Sequence, residues 1–335
     1  MTTALILLPV SDEIRSYYAT SLAKNFPNVE FVTADHRSKA EDLIASVDVM
    51  LTYGSMLSDP FLQKAGRLKW IQSLGTGLDG LVDRAGLAKD VIITRLHGIV
   101  APVSEAAIAS MFMLSRNVRR TLVNQQQHRW ERFPSSLLYG KTLGILGLGA
   151  IAEHLAPKCK AQNMQVIGIS SSPRAVAGFD QVVPTDQMMS VIPSLDYLVV
   201  LTPYSQATHH IINQAVLSKM KPSSYLINLA RGAVVDDDAL IPALEQRRIA
   251  GAALDVFTIE PLPEEHRYWS MDNVIVTPHT GGFCDNYPDF ALPKIVHNLR
   301  CFLNGDLQGM LDLVERCSGG HDYHGVRSSS CQTRR

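Results

Sequence analysis

Cysteine is scarce in this chain: five residues in 335 (Cys159, Cys284, Cys301, Cys317 and Cys331), an odd number with no CxxC spacing. That argues against a disulfide framework and fits reduced thiols in the cytosol. Neither sign of charge is in excess, since 31 basic against 32 acidic residues leave a net charge of −1. Such a balance gives no electrostatic reason for non-specific binding to nucleic acid or to an anionic membrane. No run approaches the ~18 apolar residues of a membrane-spanning helix. The N-terminal apolar stretch, Ala4 to Val10, holds only seven residues, without a basic flank or a cleavage site. It reads as a first strand and not as a signal peptide. Charged residues are only 19% and hydrophobic ones 46%, which argues against disorder. At about 150 residues per domain the length predicts roughly two domains, each able to bury a core without a metal or disulfide staple.

The first hundred residues alternate short apolar runs with amphipathic stretches. Strands are expected at Thr3–Pro9, Val29–Thr33, Val47–Thr52, Leu68–Ser73 and Val91–Thr94, with helices such as Asp12–Asn25 and Ala40–Ser46 between them. Strands spaced by helices imply parallel βαβ units under helical cover. A long helix is expected over Glu105–Asn124. Its first half is apolar on nearly every face, which implies burial between domains or between subunits. A second alternation begins at Lys141 and offers seven strands: TLGILG, QVIGIS, QVVP, YLVVLT, SYLINLA, GAALDVF and NVIVTP. A last helix is expected over Asp289–Leu303. The final stretch, 317–335, is rich in Gly, Ser and Arg, has no periodicity, and reads as a disordered tail. Cys317, His321, His324 and Cys331 within it match no standard zinc spacing, so no metal is expected.

Gly147-Leu148-Gly149-Ala150-Ile151-Ala152 is a GxGxxA between a predicted strand, Thr142–Leu146, and a predicted helix, Ala150–Gln162. In that context the first glycine permits the tight turn, and the second lets backbone approach a pyrophosphate. The small third residue lets the helix pack on the strand, and the helix N-terminus offers N–H groups to the anion. A dinucleotide cofactor is therefore expected. An NAD-selective site places Asp or Glu after the second strand to hold the ribose 2′-OH. Here the chain reads Ser170-Ser171-Ser172-Pro173-Arg174. The serines can donate to a 2′-phosphate and Arg174 can pair with it, so the reading is NADP(H) over NAD(H), although a single loop arginine also fits a solvated surface role.

Arg231, Glu260 and His279 follow three strands of the second alternation, where α/β sheets bind ligands. Reduction of a 2-oxo acid needs all three types. A guanidinium holds the substrate carboxylate and polarises the ketone. An imidazolium protonates the carbonyl oxygen, and a neighbouring carboxylate favours its charged form near pH 7. Singly, each residue also fits a structural role: a strand cap, a turn end, a packed histidine. Their joint placement after a dinucleotide turn is what points to catalysis.

These motifs resemble the D-isomer-specific 2-hydroxyacid dehydrogenase family from about residue 45 to 305. Gly147–Ala152 resembles its nucleotide turn, and Met220-Lys221-Pro222 through Asn228-Leu229-Ala230-Arg231-Gly232 its arginine signature. Ala253–Phe257 running to Glu260–Pro263 resembles its glutamate signature, and Thr277–Gly282 its histidine signature. The resemblance implies the catalytic roles above for Arg231, Glu260 and His279. It further implies contact of Asp255 with the nicotinamide carboxamide, and a nicotinamide-ribose border formed by Thr202, Pro203 and Thr208, with Ala230 beside the cofactor. Leu74–Asp79 is similar to the loop whose amides, here Thr76 and Gly77, receive the substrate carboxylate. It also implies two Rossmann-like, doubly wound parallel-sheet α/β domains with a cleft between them. One would be a discontinuous substrate domain (1–99 and 284–316), the other a dinucleotide-binding domain (100–283), and the apolar helix after Pro102 would pair subunits of a homodimer.

The expected activity is an NAD(P)-dependent reductase of a small 2-oxo acid of the glyoxylate or hydroxypyruvate kind. Rival readings are a formate-type dehydrogenase, disfavoured by Glu260, a 3-phosphoglycerate-type dehydrogenase using Arg95 and His97, and a non-catalytic nucleotide-sensing corepressor or scaffold. Substrate size is expected to depend on the loop Thr52–Met56.

Overall fold

The structure, a computed structural model, describes residues 1–82 and 84–314. The proposed tail, with Cys317, His321, His324 and Cys331, lies outside the described residues. The chain divides into two compact units: Met1–Ile99 with the chain from Asp285 onward, and Val100–Cys284.

The first unit is built on β1 (Thr2–Leu7), β2 (Val29–Ala34), β3 (Val49–Thr52), β4 (Trp70–Ser73) and β5 (Ile92–Thr94). They form one parallel sheet in the order β2-β1-β3-β4-β5. Ala4 through Leu8 are buried without alternation, the signature of a parallel strand covered on both faces. Helix α1 (Asp12–Asn25) starts at Ser11, whose hydroxyl accepts from the Ile14 N–H, with Asp12 and Glu13 in its first turn. A short α2 (Asp59–Gln63) follows β3. The helix expected over Ala40–Ser46 is instead two 3₁₀ turns, Arg37–Ala40 and Ile44–Ser46. Ala40 and Ile44 are both fully buried in the core of this unit, so tertiary packing and not helical periodicity sets the backbone here.

The second unit opens with α3 (Ala101–Ser115) and α4 (Val118–Gln126). The single helix expected over Glu105–Asn124 thus breaks at Arg116-Asn117, where Asn117 adopts a left-handed φ of 50°. Asparagine is among the few residues that visit that region readily. Helix α3 packs through Ala107, Met111 and Leu114 on the core of its own unit. Seven parallel strands follow: β6 (Thr142–Leu146), β7 (Gln165–Ser170), β8 (Gln181–Pro184), β9 (Tyr197–Val200), β10 (Tyr225–Asn228), β11 (Gly251–Leu254) and β12 (Val274–Val276). Each falls within one of the seven expected runs. Their order is β12-β11-β10-β9-β6-β7-β8, so the winding reverses beside β6, between β9 and β7. Helices α5 (Ala150–Ala161), α6 (Met188–Val191), α7 (Gln214–Lys219) and α8 (Asp237–Glu245) connect them.

The last helix, α9 (Tyr287–Leu303), belongs to the first unit. Its buried face brings Ala291, Ile295 and Leu299 onto Ile6, Leu51 and Trp70. Buried Asn298 donates to Gln72 Oε1 at 2.9 Å and to Leu311 O at 3.1 Å, and accepts from Leu311 N at 2.7 Å. Thr94 joins the same network, accepting from the Trp70 indole and donating to Gln72. Every polar group so buried has a partner, which keeps the network from costing stability. Leu313 bridges Thr94 antiparallel, which extends the strand edge.

Candidate active site

The expected site residues of the second unit all lie at or just beyond the C-terminal ends of its strands. At the winding reversal, Gly147 follows β6 with φ of 102°. A Cβ there would stand 2.7 Å from Thr202 N and 2.8 Å from Thr202 Cα. The loops after β6 and β9 therefore meet backbone to backbone, which only glycine allows. Gly149 is the N-cap of α5 with no side-chain cap, and no atom lies within 4 Å of where its Cβ would stand. Ala150 and Ile151 open the helix beside that free space, and Ala152 is fully buried against the sheet. The turn thus has the room and the exposed helix amides that a pyrophosphate requires.

Ser170 ends β7, and its hydroxyl accepts from Ser172 N at 3.1 Å. Ser171 is exposed beside it. Arg174 is ion-paired with Glu153 of the first turn of α5. After β9, Thr202 and Pro203 start a loop stitched by Thr208, whose hydroxyl donates to Pro203 O at 2.8 Å and accepts from Ser205 N at 2.7 Å.

The polar cluster is built on the ends of β10, β11 and β12. Asn228, the last residue of β10 and buried, accepts from Ala230 N and donates to Arg231 O. These bonds fix the turn that carries Arg231, whose own guanidinium also donates to Ala230 O at 2.6 Å. Next in chain, Gly232 presses on the following loop, where a Cβ would stand 1.9 Å from Phe257 C and 2.2 Å from Thr258 N. That loop carries Glu260, with Oε1 accepting from Phe257 N at 2.9 Å and Oε2 lying 2.7 Å from His279 Nδ1. Burial pushes the Glu260 carboxyl up. The bonds from His279 and Phe257 and the charges of His279 and Arg231 outweigh it, and the carboxyl sits below the usual carboxylate range. An ionised carboxylate only accepts, so Nδ1 carries the shared proton and Nε2 is the nitrogen left for chemistry.

His279 itself sits at φ of 53°, its N–H donating to Asp255 O at 2.8 Å. Asp255 is 3% exposed, and its carboxylate accepts from Thr277 Oγ1 at 2.5 Å, Thr280 N at 2.9 Å and Gly281 N at 2.9 Å. Three of its roughly four lone-pair sites therefore hold the histidine loop in its strained turn. Asn228 and Thr277 are structural members of the site beyond the expected catalytic and binding residues. The sequence signal for Asn228 is a polar residue ending an otherwise apolar buried strand.

Thr76 and Gly77 belong to the first unit, on the loop after β4. The Thr76 hydroxyl donates to Leu96 O at 2.8 Å, and Thr76 O accepts from Arg95 at 3.4 Å. Among the described residues neither the Thr76 nor the Gly77 N–H donates a hydrogen bond.

Among the described residues no helix is long and apolar enough to cross a membrane. The sequence profile described as D-isomer specific 2-hydroxyacid dehydrogenase, NAD binding domain, matches residues 108–281. The chain is 30% identical over 294 residues to the D-3-phosphoglycerate dehydrogenase of Methanocaldococcus jannaschii, covering 86% of this chain but 56% of that protein. It thus spans about half the length of that relative. It is 32% identical to the hydroxypyruvate reductase of Thermotoga maritima, over 78% of this chain and 87% of that one. Among solved structures, the NADPH-dependent glyoxylate/hydroxypyruvate reductase of Sinorhizobium meliloti, in complex with NADP and sulfate, aligns with a TM-score of 0.79 and 25% identity. That alignment covers 94% of this chain and 99% of that one.

Proposed function

The chain belongs to the D-isomer-specific 2-hydroxyacid dehydrogenase family, and on that premise we propose that it reduces a small 2-oxo acid, such as glyoxylate or hydroxypyruvate, with NADPH in preference to NADH. The observation that carries the reading is the Glu260–His279 pair at 2.7 Å beside Arg231, on adjoining strand ends of the nucleotide sheet. His279 donates the proton to the carbonyl oxygen from Nε2, the nitrogen that Glu260 leaves available. Glu260 stabilises the imidazolium and fixes its ring. Arg231 holds the substrate carboxylate and polarises the ketone; in the first unit the undonated N–H groups of Thr76 and Gly77 suit a carboxylate. Its cofactor is a nicotinamide dinucleotide, which supplies the hydride when bound. Gly147, Gly149 and the first amides of α5 would hold its pyrophosphate, and Asp255, which braces the histidine loop, would meet the nicotinamide carboxamide.

Preference for NADPH is supported by the absence of a carboxylate over Ser170–Arg174 and by the NADP held by the similar Sinorhizobium enzyme. A homodimer in the cytosol completes the proposal. Exposed Phe112, Leu122, Trp130 and Leu137 support a second copy as their cover, and Cys159, Cys284 and Cys301, in no disulfide among the described residues, suit a reducing compartment.

One rival keeps support. Likeness to a 3-phosphoglycerate dehydrogenase, with Arg95 beside the Thr76 loop, favours a phosphorylated substrate. Initial rates with NADPH and NADH, each run against glyoxylate, hydroxypyruvate, pyruvate and 3-phosphohydroxypyruvate, separate the readings. The expected result is fastest turnover with NADPH and the small acids. Fastest turnover of the phosphorylated acid would replace the substrate assignment. Cofactor binding without turnover of any acid would point to a nucleotide sensor.

A further inference from the structure

Two ion pairs of different character lie near β7, one by its start at Val166 and the other beyond its end at Ser170. Asp180 is committed to the fold, accepting from Lys160 at 2.7 and 2.9 Å and from Val166 N at 2.7 Å. The Arg174–Glu153 pair has no such anchor, because both side chains are about half exposed and each reaches across open surface to the other. Glu153 stands 21 residues earlier in the chain, in the first turn of α5, directly after the glycine turn. A guanidinium beside a serine-rich strand end is the natural partner of a phosphate monoester. Glu153 gives that guanidinium a partner before any phosphate arrives.

We infer that Glu153 is a specificity-determining residue, competing with the 2′-phosphate of the cofactor for Arg174 and so setting how strongly the chain prefers NADPH over NADH. The inference rests on the reading that Ser170–Arg174 faces the adenosine ribose. Its physical content is a trade. Binding of a 2′-phosphate breaks the Arg174–Glu153 pair and brings a dianion near a displaced carboxylate, whereas a 2′-hydroxyl leaves the pair intact. A solely structural Glu153, favoured by the positive end of α5, would affect both cofactors alike.

The test is equilibrium binding of NADPH and of NADH to the full chain, followed by quenching of protein fluorescence, in wild type, Glu153→Gln, Arg174→Ala and the double variant. Exposed pairs are worth up to about 1 kcal/mol, so Glu153→Gln is expected to tighten NADPH about fivefold while NADH is unchanged. That gain shrinks at high salt and disappears when Arg174 is also replaced. If wild type favours NADPH and Glu153→Gln leaves the ratio unmoved, or moves NADH equally, the inference falls and the cofactor reading stands. If wild type shows no preference and Glu153→Gln creates one, the inference stands and the cofactor reading falls. If neither protein discriminates, both fall.

Discussion

Arg231 and His279 differ in what their removal should cost. His279→Ala deletes the proton donor but no group assigned to ground-state binding, so kcat should drop by about 10²- to 10⁴-fold with KM little changed. Arg231→Ala removes a group that both holds the carboxylate and polarises the ketone, so KM should rise as kcat falls, with cofactor affinity kept in both variants. Steady-state kinetics beside direct NADPH binding check the pair, and equal losses in catalysis and cofactor affinity would sink either role. Glu260 carries a pH signature. Its carboxyl lies below the usual range in the folded chain, so its contribution to stability is complete above the unfolded value of about 4.3 and is lost as pH falls through the folded one. Because His279 and Glu260 are 47% and 36% exposed, that contribution is at most about 1 kcal/mol. Urea midpoints of wild type and Glu260→Gln should differ near pH 6, and the gap should close only as pH falls through the lowered folded value of the carboxyl; a constant gap would contradict the linkage. These three residues were legible in sequence because the reaction needs their chemical types at strand ends. Glu153 as the partner of Arg174 was not, since no local pattern links residues 21 apart on a helix and a loop.

At the scale of elements, the most constrained feature is the crowding of the Arg231 turn against the Glu260 loop. Gly232→Ala would drive a methyl group into the Phe257–Thr258 peptide, backbone that cannot step aside as a flexible side chain would. The expected cost is about 1–3 kcal/mol of stability, with kcat falling because Arg231 and Glu260 are pushed apart. NADPH binding, which depends on the turn after β6, should persist. Thermal unfolding with parallel kinetics checks this, and an unchanged kcat would show that the crowding does not position the pair. Strands are legible to within three residues at either end, because buried parallel strands are short continuous apolar runs. Helices fared less well. The break at Asn117 turns on one backbone conformation inside a helix-forming run, and the two turns of 37–46 are set by packing, which periodicity does not report.

For the whole molecule, the alternation of apolar run and amphipathic stretch carried the α/β class and both sheets. Strand order, and hence which loops meet, was legible only through the family resemblance, because pairing between distant strands leaves no mark in local composition. Similarity to a phosphoglycerate dehydrogenase about one and a half times as long shows that the shared scaffold accepts additional length while keeping this core. The late return of α9 to the first sheet has a consequence for synthesis. The face of β1, β3 and β4 carrying Ile6, Leu51 and Trp70 receives its cover of Ala291, Ile295 and Leu299 only after the entire second sheet has been made. Some 200 residues separate Ile99 from the end of α9, and at about 5–20 residues per second the ribosome needs roughly ten to forty seconds to supply them. During that interval the part of the face left to α9 stays bare apolar surface, open to a chaperone until α9 is made.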